Sequence, residues 1–321
     1  VNGSPGDGGA APRRGHRPPG AGMPPAAGAM VMATGILSIA FRTAGHWIVS
    51  LIALGIAVAA WLLLAADFTR RLITARSRIE ADAHTPAALT GVAATAVVGT
   101  RLALADLRPA AIALLVLATV LWPVLLTAVL RNRGRRMPGA VFLICVATQS
   151  IAVLAATLAT TLRAGWLADA GLAVFCVGIV LYAEALLRFD PRQLRTGHGD
   201  HWVATGALAI SALAAERLAS SGHWAGGGVT VLDELALALV AAALAGYAVL
   251  LVAEVRWPRP GADVRRWATV FPLGMTAQAV LAAPATLLHP LGRPLLWVAA
   301  LAWLATAAMS VVLLRGTPER R

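Results

Sequence analysis

The stretch "AIALLVLATVLWPVLLTAVL", Ala111 to Leu130, runs for twenty residues without a charge. A helix rises about 1.5 Å per residue, so such a run reaches about 30 Å, the thickness of a bilayer's hydrocarbon core. Its flanks are unequal. "DLRP" before it holds only Arg108, whereas "RNRGRR" after it holds Arg131, Arg133, Arg135 and Arg136. Basic residues gather on the cytoplasmic side of membrane proteins, so the segment is expected to cross outward-to-inward.

The same reading extends along the chain. Of 321 residues, 59% are hydrophobic and 13% charged, and the mean hydropathy is +0.74. Soluble domains are less apolar and about twice as charged. Apolar segments fall at 29–41, 47–66, 86–104, 109–130, 140–162, 166–187, 201–217, 230–252, 267–288 and 294–314. A run of this kind crosses lipid as a helix, because it must satisfy its own backbone polar groups. The expected fold is therefore all-α and polytopic, with ten transmembrane helices in one domain over 29–315. Residues 1–28, rich in Pro, Gly and Arg, read as a disordered cytoplasmic tail. Residues 316–321 read as a short second tail. No cleaved signal peptide is expected, and Met23 is a candidate start.

All 27 basic residues are Arg. Alternate connections and both tails hold 21 of them, and the other side holds six: Arg42, Arg101, Arg108, Arg163, Arg217 and Arg293. This alternation sets both termini in the cytoplasm of a cell with an inner or plasma membrane. The net charge of +12 then reflects topology and contact with anionic lipid headgroups, not nucleic-acid binding. Trp47, Trp166, Trp202, Trp224, Trp257, Trp267 and Trp297 lie at span ends, where an interfacial belt is expected. Cys145 and Cys176 sit inside apolar segments, as core residues on neighbouring helices. No disulfide framework, metal site or cofactor is expected.

Several connections on the less basic side are only a few residues long, so the spans are expected to form five helical hairpins. Odd spans carry 15 Ser or Thr and even spans six. Odd spans also hold Gly35, Gly91, Gly99, Gly206, Gly274 and Pro272, whereas even spans are mainly Leu, Val and Ala. Hydroxyls and small residues either glue helices together or line a polar path. Their alternation predicts an inner ring of odd helices and an outer ring of even ones. The odd spans are expected to carry no charge at mid-membrane. Glu184 lies near the end of an even span, where it can reach the interface.

Four stretches at odd spans, "MVMATGILSIA" (30–40), "VATQSIAVLA" (146–155), "HGDHWVATGALAISALA" (198–214) and "WATVFPLGM" (267–275), resemble the tellurite-resistance/dicarboxylate transporter family, which includes the plant slow-type anion channels. The resemblance covers about residues 23–315. It implies five hairpins around a central pore, one pore per subunit of a homotrimer. It also implies transport of small anions: chloride, nitrate, sulfite, tellurite, or malate and other C4-dicarboxylates. The family's ninth helix bears a pore-plugging Phe, which Phe271 matches. Pro272 removes a backbone donor and can kink the helix, while Gly274 makes room. The competing reading is that Phe271 packs into a core beside a tolerated Pro.

Thr34, Gly35, Ser38, Thr95, Thr148, Gln149, Thr205, Gly206 and Thr276 are the candidate pore-lining residues, and Gln278 either joins them or satisfies a neighbouring helix. His201 is placed at the pore mouth. Asp200 is expected near the N-cap of the seventh helix, which makes "HGDH" a helix entrance in preference to a metal or catalytic motif. Three alternatives stand beside the channel: a proton-coupled dicarboxylate carrier, a metabolite exporter with two inverted halves, and a membrane-embedded transferase using Asp233–Glu234. The last lacks a matching acidic cluster, so the chain is not expected to be an enzyme.

Overall fold

A computed structural model describes residues 27–74, 83–132, 134–197, 199–258 and 264–315. The expected tails lie outside these residues, except that Ala27 and Gly28 already belong to the first helix. Ten long helices follow one another: α1 (Ala27–Thr43), α2 (Trp47–Thr74), α3 (Leu89–Ala103), α4 (Arg108–Arg131), α5 (Leu143–Leu162), α6 (Gly165–Arg188), α7 (Val203–Ala219), α8 (Gly227–Arg256), α9 (Trp267–Ala282) and α10 (His289–Arg315). Short 3-10 turns at Pro86–Ala88, Gly139–Phe142 and Asp200–Trp202 lead into α3, α5 and α7. Eight of the helical stretches are long and apolar enough to cross a membrane; Ala27–Thr43 and Trp267–Ala282 are apolar but shorter.

Burial divides the helices by parity. The most apolar windows of the stretches containing α3, α5 and α7 are 72%, 100% and 72% buried, against 11–28% for those of α2, α4, α6, α8 and α10. Most of α1 and α9 is buried as well: 13 of 17 and 12 of 16 residues. Leu, Val and Ile side chains cover the exposed faces of the even helices, which suits lipid and would not suit water. The odd helices pack in a closed cycle: α1 on α3, α3 on α5, α5 on α7, α7 on α9, and α9 on α1. Each even helix packs most closely on the odd helix before it. Small residues bring the backbones of the cycle together.

Several local expectations are corrected. The ninth segment stops at Ala282, not Leu288. Pro284 disfavours a helical conformation at the residue before it, and Ala283 is extended, with ψ 141°. Asp200 does not cap α7; its Oδ2 accepts a hydrogen bond from the Ala140 backbone N–H at 3.3 Å. Trp202 and Trp267 are buried in the bundle, not in an interfacial belt. Trp202 meets Tyr247 edge-on, ring centroids 5.4 Å apart, and Trp267 meets Trp303. Cys145 is buried, but Cys176 is exposed on the outer face of α6. Glu184 forms an i,i+4 ion pair with Arg188.

Arg101, counted with the less basic side, lies in the last turn of α3 and is 1% exposed, so its charge is buried within the bundle.

Candidate functional site

A small cavity lies between the odd helices, and all five contribute to its wall. Four of them do so with residues three apart: Ile36 and Ile39 on α1, Val97 and Thr100 on α3, Ser150 and Val153 on α5, Ile210 and Leu213 on α7. Met275 represents α9. Residues i and i+3 share a helix face, so the wall is two stacked rings. The cavity leaves about 10 Å³ for the centre of a water-sized sphere, the room of a single water.

Its chemistry is mostly apolar. The Thr100 hydroxyl donates to the Ala96 carbonyl at 2.9 Å, and Ser150 donates to Val146 at 2.7 Å. Both protons are used within their own helices, so these groups offer only acceptor lone pairs inward. On α9 the position three after Met275 is Gln278. It is fully buried, and neither its Nε2 nor its Oε1 has a hydrogen-bond partner. It therefore does not satisfy a neighbouring helix through its amide.

Phe271 stands one turn before Met275. Positions 271, 275 and 278 are spaced i, i+4, i+7 and form one stripe along α9. The ring is 1% exposed. It lies against Gly206 of α7, where a β-carbon would come 3.1 Å from Phe271 Cε1 and 2.9 Å from Pro272 Cγ. Helix α9 runs through Pro272 without interruption. A β-carbon at Gly274 would lie 3.1 Å from Ile36 Cγ2, and one at Gly35 would lie 2.7 Å from Val97 Cγ1. Glycine at these positions lets α9, α1 and α3 close around the cavity.

The hydroxyls singled out in the sequence sit elsewhere. Thr34 accepts a hydrogen bond from the Trp303 indole of α10 at 2.8 Å. Thr95 accepts from Trp61 of α2 at 3.0 Å, and Thr148 accepts from Trp122 of α4 at 2.8 Å. These three threonines thus brace odd helices to even ones. Gln149 donates to the Phe175 carbonyl of α6 at 3.1 Å. Thr205 donates to the Trp202 carbonyl, and its Cγ2 abuts Gly246 of α8. Ser38 joins Ser50 of α2 and Arg101 of α3. Thr276 is buried with an unpartnered Oγ1. His201 is fully buried, its Nδ1 beside Gly197, and is not exposed at a mouth. His198 lies outside the described residues, among which no cluster of three or more His, Cys, Asp or Glu could hold a metal ion.

The cavity wall consists largely of residues that were not candidates. Met275 could have been found from its i, i+4 spacing from Phe271. Thr100 and Ser150 differ from the bracing threonines only in rotational position around their helices.

The chain matches the family model described as voltage-dependent anion channel over residues 22–311. No curated protein matches it.

Proposed function

Because this chain belongs to the voltage-dependent anion channel family, we propose that it conducts small anions along the axis of the five odd helices and that Phe271 closes the path. The observation that carries this reading is the cavity to which all five odd helices contribute, with Phe271 one turn away on the face that bears Met275. A narrow apolar passage blocks ions by excluding water. Removing one aromatic ring would widen and wet it.

In this reading the ten helices are ten spans arranged as five hairpins, with both termini in the cytoplasm of a plasma membrane. The argument for orientation is the distribution of arginine. The N-terminal ends of the odd helices then face the cytoplasm, which puts Phe271 on the cytoplasmic side of the cavity. The exposed apolar faces of the even helices meet lipid and, in the homotrimer that the resemblance implies, neighbouring subunits. Chloride and nitrate suit a one-water cavity better than tellurite, sulfite or a C4-dicarboxylate. Gln278, three residues beyond Met275 on the same face of α9, has N–H donors without a partner, and it assists an anion that has shed part of its hydration.

The test is anion flux in proteoliposomes. Phe271→Ala is expected to raise flux on the order of tenfold or more by removing the hydrophobic constriction. Unchanged flux per folded, reconstituted protein would sink the gate. No flux for any anion in either protein would sink the channel reading.

A further inference from the structure

The last turn of α3 holds the most heavily buried charge among the described residues. Arg101 Nε donates to Ser38 Oγ at 3.0 Å, and Nη2 donates to Ser50 Oγ at 3.0 Å. The two serines use their own protons on each other's backbone: Ser38 Oγ donates to the Ser50 carbonyl at 2.7 Å, and Ser50 Oγ donates to the Ser38 carbonyl at 2.6 Å. Only neutral oxygens therefore face the guanidinium. Nη1 is buried and has no hydrogen-bond partner.

Nothing nearby balances the charge. Among the described residues no carboxylate lies within ion-pair distance of Arg101. Asp106, the next acid along the chain, pairs with Arg108 at 3.1 Å. The charged residue that the fold brings to this end of α1 is another cation, Arg42, one turn beyond Ser38. Arg42 is exposed, and its side chain has no ion pair or hydrogen bond among the described residues. A desolvated cation normally keeps a partner, because burial without one is costly. Here the charge, the free donor and the missing partner coincide. The two positive charges together attract anions to this end of the bundle.

We propose that Arg101 Nη1, with the Ser38–Ser50 pair beneath it and Arg42 at the same end of the bundle, binds a small monovalent anion such as chloride or nitrate. The anion takes the unused Nη1 donors and balances the guanidinium charge. Thr100 and Ile39, the chain neighbours of Arg101 and Ser38, line the cavity wall, whereas Arg101 and Ser38 turn toward Ser50 of α2. Binding rests on the surroundings of Arg101 alone. Its place as the outer station of the conduit rests on the proposed function.

The experiment uses the full chain in detergent. Thermal unfolding is followed by tryptophan fluorescence while sodium gluconate is exchanged for sodium chloride or nitrate at constant ionic strength. Saturable stabilisation by the small anions is expected in the wild type and is lost in Arg101→Gln. Equal stability in gluconate and chloride, or an Arg101→Gln protein that keeps the saturable response, overturns the site. Should Arg101→Gln fail to fold, Arg101→Lys retains the charge without the guanidinium fork, and the half-saturating concentration is expected to rise at least tenfold. An unchanged value overturns the site. Wild-type flux measured in parallel separates the two ideas. Absent flux with saturable stabilisation removes the channel and keeps the site, whereas flux without stabilisation removes the site and keeps the channel.

Discussion

Gly206 of α7 lies so close to Phe271 of α9 that a β-carbon there would sit 3.1 Å from the ring's Cε1. If the ring is the gate, the absent side chain is the space that lets it rest in its closed position. Gly206→Ala should therefore crowd the closed ring and raise anion flux. The overpacking should also cost about 1–3 kcal/mol of stability. Because both residues act on one barrier, their effects should not add. Gly206→Ala in a Phe271→Ala background should leave flux at the Phe271→Ala level. A further change in the double variant would show that Gly206 acts elsewhere. Phe271→Ala itself removes a buried ring, which costs about 3–5 kcal/mol, so flux must be normalised to folded protein.

The Trp61–Thr95 hydrogen bond makes the opposite prediction. It joins α2 to α3 at 3.0 Å, on the outer side of α3. Thr95→Val removes the acceptor and leaves the indole N–H in an apolar setting. Interhelical hydrogen bonds in membranes average about 0.6 kcal/mol and reach about 1.7, so thermal stability should fall modestly. Anion selectivity and unitary flux should not change. A shift in selectivity would return Thr95 to the conduit.

These two cases mark what was legible in the sequence. The division into odd and even helices could be read, because burial against other helices and exposure to lipid favour different compositions. Counting hydroxyls by segment carries no rotational information, however. Thr95 and Thr100 lie on one helix, yet one faces Trp61 and the other the cavity. The sequence counts Arg101 among the six arginines of the less basic side, which says nothing of its burial. Helical side chains lean toward the N-terminus, and this long one reaches back to Ser38 and Ser50. Trp202 and Trp267 mark span ends in sequence but are covered by Tyr247 and Trp303. Position along the chain does not reveal such lateral neighbours.

The arginine distribution predicts the side on which each connection lies. Leu107, between α3 and α4, is 52% exposed and should face outward. Asn132, at the end of α4, is exposed and should face the cytoplasm. In a Cys145→Ser, Cys176→Ser background, Leu107→Cys should react with an impermeant maleimide on intact cells. Asn132→Cys should react only after permeabilisation. The reverse pattern would invert the topology and move Phe271 to the outer side of the cavity.

Gln278 separates a structural role from a conducting one by the sign of two measurements. Its amide is fully buried, and neither polar atom has a partner. A buried polar group left unsatisfied costs about 1–3 kcal/mol. Gln278→Leu preserves the approximate volume and removes that penalty, so the resting protein should unfold at an equal or higher temperature. The same change removes the free donors beside Met275, and an anion crossing the inner rings loses a group that replaces its water. Flux should therefore fall while stability holds or rises. A structural glutamine would show lower stability with flux preserved per folded protein, and that result would exclude it from the conduit. Gln278→Asn keeps the amide on a shorter side chain and should retain part of the flux that Gln278→Leu loses.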